Sequence, residues 1–116
     1  WIGGDHSITL PLLRAYRAHL GQPLAVLHFD AHCDTWQDHF GEPSGHGTWV
    51  YEAMAEGLVV NECFVQIGIR SAGERAAREY VHDQGGLVWT GRDLRGLARA
   101  DGEHVVMVKA NYWFGL

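Results

Sequence analysis

The stretch Phe29-Asp30-Ala31-His32-Cys33-Asp34 brings two carboxylates, an imidazole and a thiol into six residues, directly behind the apolar run Leu24-Ala25-Val26-Leu27. Alternate residues of an extended chain point to the same side. Asp30, His32 and Asp34 can therefore converge on one point while Ala31 and Cys33 face away. Two oxygens and an imidazole at one point are the beginning of a metal centre, and His6, in Gly3-Gly4-Asp5-His6-Ser7, could add a second imidazole. Mixed nitrogen and oxygen donors without thiolate suit manganese, zinc, iron or cobalt better than calcium, and the carboxylate share tilts the choice towards manganese. Plainer roles stand beside this one. Asp30 could cap a turn, His32 could be a solvated loop residue, and Asp34 could pair with Arg14 or Arg17. A metal-free acid–base dyad is a further alternative.

His46 lies in Ser44-Gly45-His46-Gly47-Thr48. Flanking glycines let a backbone approach a ligand closely, and an imidazole can work as general acid, base or proton shuttle near neutral pH. The alternative is a loop histidine beside a helix that Thr48 caps. His28, inside the apolar run, reads as a hydrogen-bonded interior residue. His19, His39, His82 and His104 read as helix-end or surface positions. Trp36 is a candidate pocket wall at a substrate site, whereas Trp49, Trp89 and Trp113 read as core or interface.

The elements that must position these groups alternate in type. Residues 1–4 resemble the tail of a strand, and Asp5 or Ser7 can cap a helix over about 8–20, with Pro11 in its first turn and Gly21 at its end. Residues 24–29 form an apolar strand broken only by His28, a pattern suited to burial on both faces. A polar loop over 31–47 precedes a helix over about 48–56, with Val50, Met54 and Tyr51 on its apolar face. A strand over 63–69, a helix over 74–84, a strand over 87–90, a helical turn over 93–99 and a strand over 104–109 follow. This alternation predicts an α/β fold with right-handed crossovers and a parallel sheet covered by helices. Ligands of such sheets bind beyond the carboxyl ends of the strands. Asp5–Ser7, Asp30–Asp34 and Arg70-Ser71 all fall at those ends.

With 116 residues, 47% of them apolar, the chain suits one domain with a real core. A net charge of −5 argues against nucleic acid or an anionic membrane as partner and is compatible with a cationic ligand. No apolar run approaches the roughly 18 residues of a membrane span, and no basic-then-apolar leader stands at the start. Cys33 and Cys63 lie outside any CxxC spacing and predict a reduced, cytoplasmic setting rather than a disulfide scaffold or zinc knuckle.

Taken together, Gly3-Gly4-Asp5-His6-Ser7, Asp30-Ala31-His32-Cys33-Asp34 and His46-Gly47-Thr48 resemble, in order and spacing, the motifs of the ureohydrolase family of arginases and agmatinases. Asp34-Thr35-Trp36, Tyr51-Glu52-Ala53 and Gln66-Ile67-Gly68-Ile69-Arg70-Ser71 extend the resemblance in an agmatinase-like style. The resemblance implies a three-layer α/β/α fold with a mainly parallel sheet and a binuclear Mn²⁺ centre. His6 would bind one ion and His32 the other, Asp30 would bridge both, and Asp34 would join His6. His46 would lie near the substrate and transfer protons. The implied reaction is hydrolysis of a linear, cationic guanidino compound, agmatine to putrescine and urea, by water made acidic by two ions. Another guanidino acid, such as guanidinobutyrate, is the alternative substrate, and the family implies a homo-oligomer.

The family's later acidic run, S-x-D-x-D-x-x-D-P, has no match. Residues 99–116 depart from the pattern, and no carboxylate follows Glu103. Residues 1–116 are thus expected to form one partial domain, truncated at both ends and short of two metal-binding aspartates. Asp30 and Asp34 alone do not balance the charge of two divalent ions, so this chain by itself is expected to hold Mn²⁺ weakly or as a single ion. An inactive fragment, a degenerate paralogue, or a mononuclear hydrolase using His6, Asp30, His32 and Asp34 are the remaining alternatives.

Overall fold

The structure is a computed structural model and describes residue 2 and residues 4–97. The chain enters through a 3₁₀ turn, His6–Ile8, capped by the Asp5 carboxylate, which accepts the Ser7 amide at 2.8 Å. Helix α1, Thr9–Leu20, continues from it with Pro11 in the first turn, where its missing N–H is not needed. Gly21 ends α1 in a left-handed conformation and donates its amide to the Arg17 carbonyl. The order then runs β1 Leu24–Phe29, α2 Trp49–Ala55, β2 Val59–Ile69, α3 Arg75–Asp83, β3 Leu87–Thr90 and α4 Gly91–Leu97.

The three strands form one parallel sheet in the order β1-β2-β3, as the strand–helix alternation anticipates. Strand β2 begins at Val59 rather than Cys63. Its Asn61-Glu62 pair breaks the apolar pattern, and the β1–β2 register slips across that part of the ladder. The expected strand over 104–109 and the departing stretch 99–116 lie outside the described residues. Of the expected strand tail over 1–4, Ile2 and Gly4 are described, and neither lies in a strand. No helix among the described residues is long and apolar enough to cross a membrane.

Helices α1, α2 and α3 cover one face of the sheet. Leu10, Leu13, Trp49, Val50, Ala53, Met54, Phe64 and Val81 form the buried cluster, and Val26 and Val88 pack against it from the flanking strands. Strand β1 departs from the expected burial on both faces. Val26 and His28 turn towards the helices, while Leu27 and Phe29 are 66% and 49% exposed. Leu27, Val65 and Leu87 form one cross-strand row on the outer face, and Phe29, Ile67 and Trp89 form the next. A continuous apolar run records that both faces avoid water, not which elements arrive to cover them.

One irregularity in the sheet bears on the site. The β2–β3 register slips between Ile67 and Ile69, and the residue between them, Gly68, has φ of 98°. Any Cβ there would stand 3.2 Å from the Asp30 carbonyl oxygen. Glycine thus allows both the left-handed backbone and the close approach of the chain leaving β1. Gly68→Ala is expected to destabilise the fold by about 1–3 kcal/mol, measured as a lowered urea midpoint with an unchanged m-value.

Candidate metal centre

Asp30 is the first residue beyond β1, and its amide still completes the ladder, donating to the Ile67 carbonyl at 3.1 Å. The chain then turns. Asp30 Oδ1 accepts the His32 amide at 3.0 Å, and the Ala31 carbonyl accepts the amides of both Arg70 and Ser71 at 2.9 Å. Asp34 has φ of 53°, a left-handed conformation that aspartate tolerates better than most residues. The extended, period-two segment expected over 30–34 is therefore absent. A turn anchored to the loop after β2 takes its place, because the backbone groups beyond the Asp30 amide bond to that loop, to side chains and to the start of α2 rather than to a neighbouring strand. Ala31 and Cys33 are buried, and Cys33 packs with Ile69 and Ala77.

The turn places the carboxylates of Asp30 and Asp34 beside His6, which arrives from the 3₁₀ turn. His6 Nδ1 lies 3.0 Å from Asp34 Oδ2 and 3.4 Å from Asp30 Oδ2. His28, two residues before Asp30 on the same face of β1, brings its Nε2 to 3.4 Å from Asp30 Oδ2 and 3.8 Å from Asp34 Oδ2. One ligand-type atom from each of these four residues lies within 4.8 Å of the others. His32 stands apart from this group, its Nδ1 at 3.3 Å from the other oxygen of Asp30, Oδ1. Asp30 thus has His6 and His28 on one oxygen and His32 on the other.

Asp34 pairs with neither Arg14, which forks onto Glu56 instead, nor with another cation of α1. Its Oδ2 accepts the buried Trp49 indole N–H at 2.9 Å, and its backbone carbonyl accepts the Val50 amide at 3.0 Å. The start of α2 therefore grips Asp34 at two points. Trp49 also packs edge-on against His28, with ring centroids 4.9 Å apart. The sequence reading assigned Trp49 to the core, and nothing in periodicity reveals where an indole N–H points. His28 and Gln66 had a legible signal: His28 is in phase with Asp30, and Gln66 is a lone polar residue in the apolar run CFVQIGI. A buried glutamine needs partners, and Gln66 finds them in His28 and the Cys33 carbonyl.

His46 is separate from the four-residue group. Its Nδ1 lies 2.9 Å from Asp5 Oδ1, and both side chains are about half exposed. Asp5, the residue before His6, therefore links the His46 loop to the 3₁₀ turn that carries His6. Trp36 locks this loop from the other side. Its ring lies against both Gly47 and Gly73, whose hypothetical Cβ atoms would meet it at 3.2 and 3.4 Å, and its amide donates to the Gly47 carbonyl at 3.0 Å. Trp36 also walls an open cleft of about 420 Å³ together with Thr35, Asp38, Glu74 and Tyr80.

The electrostatics suit a cation. Burial opposes ionisation of Asp30, but the His28 ring against its Oδ2, the hydrogen bond from the His32 amide, and the attraction of His28 and His6 outweigh it and hold the carboxyl down at about 2. Burial likewise disfavours a charged His6. The hydrogen bond to Asp34 and the charges of Asp34, Asp30 and Asp5 overcome that and raise its pKa. Asp5 is lowered, first by its hydrogen bonds from Ser7. Two carboxylates and neutral imidazoles without a thiolate form a donor set that fits a divalent ion such as Mn²⁺.

A model of the arginase family matches residues 1–108. The chain is 46% identical over 89 residues to an agmatinase of Chromobacterium violaceum, an alignment covering 72% of this chain and 28% of that protein. It superposes on the proclavaminate amidino hydrolase of Streptomyces clavuligerus with a TM-score of 0.73 at 38% identity, covering 82% of this chain and 32% of that one. The arginase of Medicago truncatula gives a TM-score of 0.72 at 37% identity over 81% of this chain and 29% of that one. The chain spans about a quarter of the length of the curated relatives it matches.

Two outcomes follow from this geometry. Trp49→Phe keeps the ring but removes the donor to Asp34, and should weaken Mn²⁺ binding by roughly 10- to 100-fold in calorimetric titration. The second concerns pH. His6 has a raised pKa in the folded state, so its attraction to Asp34 stabilises the metal-free protein fully below its unfolded value of about 6.5 and is lost as pH rises through the raised value. An ion needs the neutral imidazole. Mn²⁺ affinity should therefore rise with pH through the same window in which the Tm of the metal-free protein falls.

Proposed function

Because the chain belongs to the arginase family, we propose that it is the part of an agmatinase-type hydrolase that holds one portion of a binuclear Mn²⁺ centre. The substrate in this proposal is a linear guanidino compound, agmatine, and the products are putrescine and urea. The observation that supports it most is the placing of imidazoles on both oxygens of Asp30, with Asp34 completing the Oδ2 side. His6 and Asp34 would hold one ion with Asp30 Oδ2, and His32 would hold the second with Asp30 Oδ1. The bound ions would supply a water acidified enough to act at neutral pH and would stabilise charge developing on the guanidinium carbon's substituents.

The chain's own groups account for the rest. Trp49 holds Asp34 in place so that the carboxylate need not reorganise. His46, in contact with Asp5, would pass a proton to the departing amine. The cleft beside Trp36 is lined by Asp38, Glu74 and Tyr80 and by none of the metal-centre residues; its acidic and aromatic lining suits a cation. The net charge of −5 favours the same ligand class. Within this proposal the whole protein is a homo-oligomer of the cytoplasm, and neither nucleic acid nor membrane is a partner.

In the full-length protein loaded with Mn²⁺, urea release from agmatine should exceed that from guanidinobutyrate and arginine. His46→Asn should lower kcat by about 10²- to 10⁴-fold with Mn²⁺ content unchanged by atomic absorption. Equal turnover of arginine, or an unaltered rate in the variant, would sink the assignment.

A further inference from the structure

Gln66 is wholly buried at the centre of β2, directly across the parallel ladder from His28. Its side-chain nitrogen donates to the Cys33 carbonyl at 2.6 Å and lies 3.1 Å from His28 Nδ1. The Cys33 carbonyl can only accept, so the amide must present its nitrogen there. The second amide hydrogen is then directed at His28 Nδ1. That ring nitrogen becomes an acceptor, and the proton of the neutral imidazole resides on Nε2. Oε1 of the amide is left buried without a partner among the described residues, so both amide hydrogens are committed to this arrangement.

His28 Nε2 is itself buried and makes no hydrogen bond of good geometry among the described residues, yet it faces Oδ2 of both Asp30 and Asp34 at 3.4 and 3.8 Å. Proximity alone would make His28 a fourth ligand beside His6, Asp30 and Asp34. The Gln66 amide argues the reverse, since a ring nitrogen bearing a hydrogen has no lone pair to give an ion. We propose that His28 is a positioning residue of the metal centre and not a ligand: Gln66 fixes its tautomer, and its Nε2–H is aimed at Oδ2 of Asp30 and holds that oxygen in the geometry an ion needs. The Trp49 indole plays the matching part for Asp34 from the helix side. Asp30 is thereby held from β1 and Asp34 from α2. The inference rests on the metal-centre reading above and adds which of the four clustered residues stays outside the coordination sphere.

The test is long-range ¹H–¹⁵N correlation on the intact protein labelled in its histidine rings, first metal-free and then with Cd²⁺ as a diamagnetic probe. The expected result is an Nε2–H tautomer for His28, assigned by its loss in His28→Gln and kept when Cd²⁺ is added, while nitrogens of His6 and His32 shift. An Nδ1–H tautomer, or a Cd²⁺-induced coordination shift at His28, would overturn the proposal. If Cd²⁺ moves no histidine, the metal-centre reading fails, and the metal-free tautomer alone decides the role of Gln66. Cd²⁺ affinity supplies a second readout. His28→Gln preserves an N–H donor and should retain most of it, whereas His28→Leu should lose about 10- to 100-fold. Equal loss in both variants, with both folded by circular dichroism, would also count against a donor role.

Discussion

The Asp30 carboxylate is the point on which this structure turns. Its backbone is the last rung of the β1–β2 ladder, and its side chain is the first polar group beyond the sheet. A carboxylate that is only 7% exposed would normally resist ionisation. Here it stays charged because donors converge on it: the His32 amide on one oxygen, and His28 and His6 on the other. Other features of the site bring a partner to this group or hold the backbone that carries it. Gly68 belongs to the second kind, since any side chain there would press on the Asp30 carbonyl.

Two further partners reach Asp30 and Asp34 from outside the sheet, and a third residue fastens the loop beside them. His6 comes from a 3₁₀ turn that Asp5 caps, and the same Asp5 contacts His46. Trp49 comes from the first residue of α2, so the packing of that helix into the core also sets the distance from indole to carboxylate. Trp36 wedges between Gly47 and Gly73 and joins the His46 loop to the loop after β2. A site assembled from several short segments has little stiffness in any one of them. Its rigidity comes from the sheet edge and the helix start to which each is fastened.

Much of this was legible in the sequence. Strand–helix alternation identified a parallel sheet, and the fall of polar clusters just beyond apolar runs pointed to the edge where His6, Asp30 and Asp34 gather, because burial and chemistry leave opposite residue types in the same short stretch. His6, Asp30, His32 and Asp34 stood out by residue type alone. What the pattern misjudged was geometry. It made residues 30–34 extended, where the amides of Arg70 and Ser71 draw the Ala31 carbonyl into a turn. It also buried both faces of β1, where α1, α2 and α3 cover only one.

The sequence by itself thus determined the inventory: which donors exist, that they follow strands, and that they favour a divalent cation. Only the tertiary structure decided their allegiance. It put His6 and His28 on one oxygen of Asp30 and His32 on the other, and it made Trp49, a core residue as expected, a hydrogen-bond donor to Asp34 as well. It also set Gln66 opposite His28. The reason is that these contacts join residues on different strands and helices, and strand register and helix placement are collective results of packing that no local spacing encodes.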